Sequence, residues 1–140
     1  MTVAQFPKPE NLGPRQWGTE ELLFALTGKF TFKKITMIRG AKGGLQYHHK
    51  KDEGGYVTFG RAIIRYDRGD GVLDERIVGP GDVFWFPQGA VHQAEALSQF
   101  EYLEVSTPFL NDRVHVEHEY GIEEEAGGLP STRLEDVTQL

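Results

Sequence analysis

Residues 45–53, Leu45-Gln46-Tyr47-His48-His49-Lys50-Lys51-Asp52-Glu53, decide how this chain is read. Alternate residues of a strand share a face, so Gln46 and His48 point one way while Tyr47 and His49 point the other. Lys50-Lys51-Asp52 is a polar turn or bulge that re-aims Glu53 onto the face of His48. Glycines bracket the stretch in the pattern Gly40-x5-Gln46-x-His48-x4-Glu53-x6-Gly60, and a second cluster follows as Gly81-x5-Pro87-x-Gly89-x2-His92. Either half alone reads as a solvated surface pair. Together they let two hairpins bring two imidazoles, a carboxylate and an amide to one point.

Outward from this stretch the chain is a series of short strands. Phe30–Arg39 alternates, with Phe30, Phe32 and Ile38 on one face and Thr31, Lys33 and Arg39 on the other. Gly54-Gly55 breaks the pattern, and Tyr56–Phe59 and Arg61–Tyr66 read as strands around Gly60. Asp67-Arg68-Gly69-Asp70-Gly71 is a hairpin turn, since Asp-Gly supplies the backbone such turns need. Leu73–Val78, Val83–Phe86, Ala90–Ala94 and Phe100–Ser106 complete the series. Turn signals every eight to twelve residues imply a sandwich or barrel. Residues 1–28 read as an extended arm with a short helix or edge strand after Thr19, residues 29–121 as the barrel, and residues 122–140 as an acidic tail.

Composition narrows the function. A chain of 140 residues fits one core. Seventeen glycines and seven prolines suit a turn-rich β architecture. With no cysteine, disulfides and thiolate metal sites are excluded, so a metal must sit on nitrogen and oxygen. A net charge of −6 without a basic stripe argues against nucleic acid. No apolar run reaches the roughly 20 residues of a membrane span, and no secretory signal is visible, so the expectation is a cytoplasmic protein.

The donor set Gln46, His48, Glu53 and His92 suits one divalent ion (zinc, iron, manganese or nickel) with a position open for a ligand. Other residues have two readings. Lys51, beside the carboxylate, is a solvated lysine or a catalytic group, and Glu104 is a second candidate for proton transfer. Tyr56, Arg65 and Trp85 serve packing and surface or meet the substrate. His115 and His118, interleaved with Glu117 and Glu119, read as a polar edge or salt-bridged turn, with a site role as the alternative.

The two clusters resemble the paired motifs of the cupin superfamily, with Gln46 where that family usually has its first histidine. The resemblance implies an all-β double-stranded β-helix, or jelly-roll barrel, with a short N-terminal arm. It extends further. Arg15-Gln16-Trp17-Gly18 is similar to the Arg-Pro-Trp-Gly opening of the cupin domain of type II mannose-6-phosphate isomerases. Phe32-Lys33-Lys34-Ile35 with Leu45-Gln46-Tyr47-His48-His49 is similar to that family's strand pair and its Leu-Gln-x-His-His run, so Gln46 belongs to the likeness. Phe86-Pro87-Gln88-Gly89-Ala90-Val91-His92 resembles its Ile-Pro-x-Gly-x-x-His. Glu104-Val105, and Asn111-Asp112 through Glu117 to Tyr120-Gly121, are similar to its closing segments. Lys51 replaces an arginine, Ala96 an asparagine, and His115, Glu119 and Ile122 fall where that family has arginines that could hold a phosphate.

The resemblance implies a metal-dependent sugar or sugar-phosphate isomerase or epimerase, the metal polarising a carbonyl and hydroxyl to stabilise an enediolate. It also implies a homodimer and a small carbohydrate substrate. Two alternatives stand beside this. One is a non-catalytic carbohydrate-binding cupin, because fold alone does not fix activity. The other is a non-haem iron dioxygenase using His48, Glu53 and His92.

Overall fold

The computed structural model describes residues 1–109 and 112–123. In chain order the strands are β1 (Glu10–Arg15), β2 (Gly18–Leu26), β3 (Phe30–Met37), β4 (Gln46–His48), β5 (Glu53–Phe59), β6 (Ala62–Asp67), β7 (Leu73–Val78), β8 (Val83–Phe86), β9 (His92–Ala96), β10 (Phe100–Ser106) and β11 (Arg113–His115). A 3-10 turn follows at Glu117–Tyr120. One sheet has the order β1-β2-β3-β10-β5-β8 and the other β11-β4-β9-β6-β7. Every named pairing is antiparallel, so the all-β barrel expected from the sequence is the fold.

Several local expectations change. Residues 10–15 are not part of an arm but an edge strand, where Pro14 costs no central ladder bond. The segment after Thr19 is strand, paired along its length with β3. Gly54 and Gly55 do not interrupt β5. A Cβ on Gly55 would lie 2.0 Å from Phe84 Cζ, so the glycine makes room for a ring packed on the strand. On β3 the inward residues are Thr31, Ile35 and Met37, while Ile38 lies past the strand and is exposed. The Asp67 turn forms as read, with Asp67 Oδ1 accepting from Gly69 N at 2.7 Å and Gly71 N at 3.1 Å. Residues 124–140, most of the expected tail, and Asn111 lie outside the described residues.

Strand alternation fills the interior in two halves. Toward one end, Ile35, Met37, Val57, Ala62, Ile64, Val78, Ala96 and Phe100 form one buried cluster. Each such large side chain contributes roughly 1.5–3 kcal/mol by burial. Toward the other end the same strands turn polar, with Glu53, His92 and Glu104 all buried. Among the described residues no helix is long and apolar enough to cross a membrane.

Candidate metal centre

The polar half is assembled by two turns that hold each other. Asp112, almost fully buried, accepts from Lys50 N at 2.8 Å and Lys51 N at 2.6 Å through Oδ2. Its carbonyl accepts from His49 N at 3.0 Å. The chain after β4 therefore wraps around one carboxylate, which swings Glu53 to the start of β5. The second turn joins the first directly. Gly89 N donates to His48 O at 2.8 Å, and Gln88 N donates to Asp52 Oδ1 at 2.8 Å.

His48, Glu53 and His92 consequently meet, with ligand atoms within 4.8 Å of one another and all three side chains buried. Glu53 Oε1 lies 2.9 Å from His48 Nε2 and 3.2 Å from His92 Nε2. Each imidazole is oriented from behind: His48 Nδ1 is 3.2 Å from Asp112 Oδ1, and His92 Nδ1 is 2.9 Å from the Ala90 carbonyl. Those partners accept, so each Nδ1 carries the proton and each Nε2 turns a lone pair toward the carboxylate oxygen. Three acceptors converging in a buried space repel one another unless a cation or further protons lie among them. The donor set therefore fits a divalent metal. Gln46 pairs in register with His92 and so stands on the same face of the sheet.

Lys51 joins this group from the side. Its Nζ lies 3.4 Å from Glu53 Oε2 and 3.5 Å from Glu104 Oε1. Burial pulls the ammonium pKa down, but the carboxylates of Glu104, Glu53 and Asp112 outweigh it and hold the group above its ordinary value. Burial pushes the Glu104 carboxyl up to about 7, against Lys51 and with Glu53. Burial raises the Glu53 carboxyl, but the Lys51 ammonium beside it helps hold it well below the usual carboxylate range. Of the two carboxyls Glu104 is therefore the weaker acid. The hydroxyl of the half-buried Tyr102 is pushed up by desolvation and by Glu104.

The remaining sequence candidates are not brought here. Tyr56 alternates with the inward residues of β5 and is exposed on the outer face. Arg65 lies on the outer face of β6, engaged by Glu95 at 2.8 Å, Glu75 at 3.0 Å and Gln93 at 3.3 Å. Trp85 is 69% exposed, whereas its neighbours Phe84 and Phe86 turn inward. Trp85 and Phe86 line a cleft of about 340 Å³ between the free edges β7 and β8, and none of the three ligands lines it. Phe86 also stacks on His92, with ring centroids 3.9 Å apart. Sequence reasoning gave no role to Asp112 or to this stacking. Asp112 had one signal, its place in the closing segment of the resemblance.

A two-sheet barrel with two histidines and a carboxylate converging at one end is the architecture of a small metal-binding β-barrel protein. The chain belongs to the cupin family, whose domain model, "Cupin domain", matches residues 33–106, more than half of its length. No curated protein sequence matches it. Among solved structures it is similar to KdgF from Halomonas sp., at 22% identity and TM-score 0.60, covering 69% of this chain and 84% of that one. It is also similar to oxalate decarboxylase from Bacillus subtilis, at 20% identity and TM-score 0.66, over 88% of this chain and 38% of that one. CapF, a capsular polysaccharide assembling protein from Staphylococcus aureus, matches at 20% identity and TM-score 0.59, over 73% and 28%. At these identities the likeness is one of fold, and the chain spans well under half of the latter two.

Proposed function

We propose that this cupin is a metal-dependent enzyme of the sugar or sugar-phosphate isomerase or epimerase type. The observation that carries the reading is the largely buried Lys51–Glu104 pair, with Lys51 Nζ 3.5 Å from Glu104 Oε1 and 3.4 Å from Oε2 of the metal-facing Glu53. A divalent ion held by His48, Glu53 and His92, with Gln46 beside them, would polarise a substrate carbonyl. The chain's own residues would do the rest. Glu104, in its ionised form, takes a proton from the carbon next to the carbonyl and returns it to the neighbouring carbon, with the Lys51 ammonium beside it, so nothing is lost overall. The resemblance to type II mannose-6-phosphate isomerases supports the direction of this reading. So do two similar structures, one a decarboxylase with Mn(II) centres and one a capsular polysaccharide assembling protein. Assay of manganese- or zinc-loaded protein against aldoses and their 6-phosphates tests it. Interconversion is expected, and inertness across that panel with metal bound would sink the proposal.

The two-histidine, one-carboxylate group favours a second reading, iron-dependent oxygenation. Oxygen uptake that depends on both iron and substrate would select it over isomerisation.

We also propose a homodimer through the outer face of the six-stranded sheet. Tyr56, Val83, Trp85 and Val105 form an exposed apolar group there, contiguous through the registers Tyr56↔Val83, Gly54↔Trp85 and Val105↔Gly54. A self-complementary apolar face suits a two-fold contact between copies.

A further inference from the structure

Two buried side-chain nitrogens have no hydrogen-bond partner among the described residues, Arg113 Nε and His115 Nε2. Both belong to the short strand β11. Its register with β4 is Arg113↔His48 and His115↔Gln46. Residues opposite each other in an antiparallel pair share a face, so Arg113 and His115 stand on the face that carries His48 and Gln46. Buried polar groups are nearly always partnered, and two exceptions side by side next to a metal group call for a ligand that supplies the partners.

His115 is built as a fixed acceptor. Its side chain is 7% exposed, and Nδ1 lies 3.1 Å from Oε1 of Glu117, itself 1% exposed. The same Glu117 oxygen accepts from Leu45 N at 2.8 Å, which locks the carboxylate in place. Nδ1 therefore donates to Glu117 and leaves Nε2 with a lone pair. Gly44 makes the seat, since a Cβ there would lie 2.4 Å from His115 Cε1. His115 is not one of the three converging metal ligands, so its lone pair is available to something else.

Arg113 is the complementary donor. No side chain among the described residues makes a hydrogen bond or ion pair with its guanidinium. The charges that act on it are those of Glu20, Arg15 and Asp112. Neither carboxylate is free to neutralise it. Glu20 is held by Lys33 at 2.8 Å and Arg15 at 3.2 Å, and Asp112 by His48 and two backbone N–H groups. A half-buried guanidinium left unmatched is costly, and an oxyanion would relieve that cost in a two-point hydrogen-bonded pair.

We propose that Arg113 and His115 form a two-point recognition edge beside the metal group, Arg113 pairing with a carboxylate or phosphate and His115 Nε2 accepting from a hydroxyl of the same molecule. The substrate class is thus a hydroxylated small molecule bearing an oxyanion. This rests on the reading above that a small polyhydroxy substrate meets the metal group.

Calorimetry of zinc-loaded protein with glycerate, glycerol 3-phosphate and glycerol tests the edge, with zinc content measured separately for every variant. At least one anionic probe should bind about tenfold or more tighter than glycerol, the range expected of a charge-assisted hydrogen bond. Preference for glycerate identifies a carboxylate site, and preference for glycerol 3-phosphate a phosphate site. R113Q should erase the preference and R113K should restore part of it; H115N should weaken all three probes while zinc content stays at the wild-type level. Equal affinity for all three probes, no binding of any, or an unchanged preference in R113Q overturns the proposal. Should the variants fail to fold, nitrogen NMR of wild-type protein labelled at histidine decides, because the His115 Nε2 resonance must move when the probe binds, and a stationary resonance overturns the hydroxyl contact. Wild-type protein that takes up no zinc instead refutes the metal reading and leaves these shifts to be measured without it.

Discussion

The two ends of the barrel interior are made by the same strands and have opposite character. β5 carries Val57 in the apolar cluster and Glu53 at the metal group; β9 carries Ala96 and His92; β10 carries Phe100 and Glu104. Each pair is four residues apart, hence on one face. One end is held by burial of apolar surface, which tolerates any well-filling shape. The other is held by directional bonds, in which every donor needs its acceptor. The difference teaches that stability and function can be perturbed separately along a single strand.

Breaking the apolar end should have the largest effect. Phe100→Ala leaves a cavity in a fully buried position and is expected to cost about 3–5 kcal/mol, read as a lowered denaturation midpoint. In the fraction that remains folded, zinc stoichiometry should be unchanged. Loss of metal in proportion to stability would show that the two ends are not independent.

The reciprocal test is Asp112→Asn, which removes the carboxylate behind His48. Metal affinity should fall about 10–100-fold, as for other groups that orient a ligating histidine. Competition with a chelator measures it. An affinity within twofold of wild type would mean that the Ala90 carbonyl and Glu53 suffice to hold the site.

A smaller effect is expected at the rim. Burial raises the Glu20 carboxyl, but Lys33 and then Arg15 outweigh it and leave the group below its ordinary value of 4.5. Because the folded value is the lower one, the pair's stabilisation is present above about 4.5 and is lost as pH falls through the folded value. Glu20→Gln should flatten the acid limb of the stability profile in denaturant titrations. An identical limb in the variant would assign the acid sensitivity to other carboxylates.

The smallest effect on stability is expected on the outer sheet face. Val83→Lys with Trp85→Lys should change unfolding free energy by only about 0.5 kcal/mol per site. The same pair of changes should convert a dimer to a monomer in sedimentation. A monomeric wild type would dismiss the proposed face.

The legible part of the site was the part close in sequence. Spacing alone placed Glu53 past a polar turn that re-aims it toward His48, and His92 after a fixed turn, because strand alternation and turn chemistry act over a few residues. Asp112 escaped that reading. It lies 64 residues from His48, and its role is to accept bonds from Lys50 and Lys51 as well as to orient the imidazole. Tyr56 and Arg65 show the converse failure. Each sits near a motif in the chain, yet alternation turns both outward.

By itself the sequence determined the strand series, the all-β barrel and the two histidines and carboxylate that converge. It could do so because period-two alternation and glycine-bounded turns are local. Only the tertiary structure decided which carboxyl is the weaker acid beside Lys51, what orients His48, and that Arg113 and His115 stand in register with metal-motif residues. Those outcomes depend on burial and on pairings between distant strands, and neither exists until the two sheets close on each other.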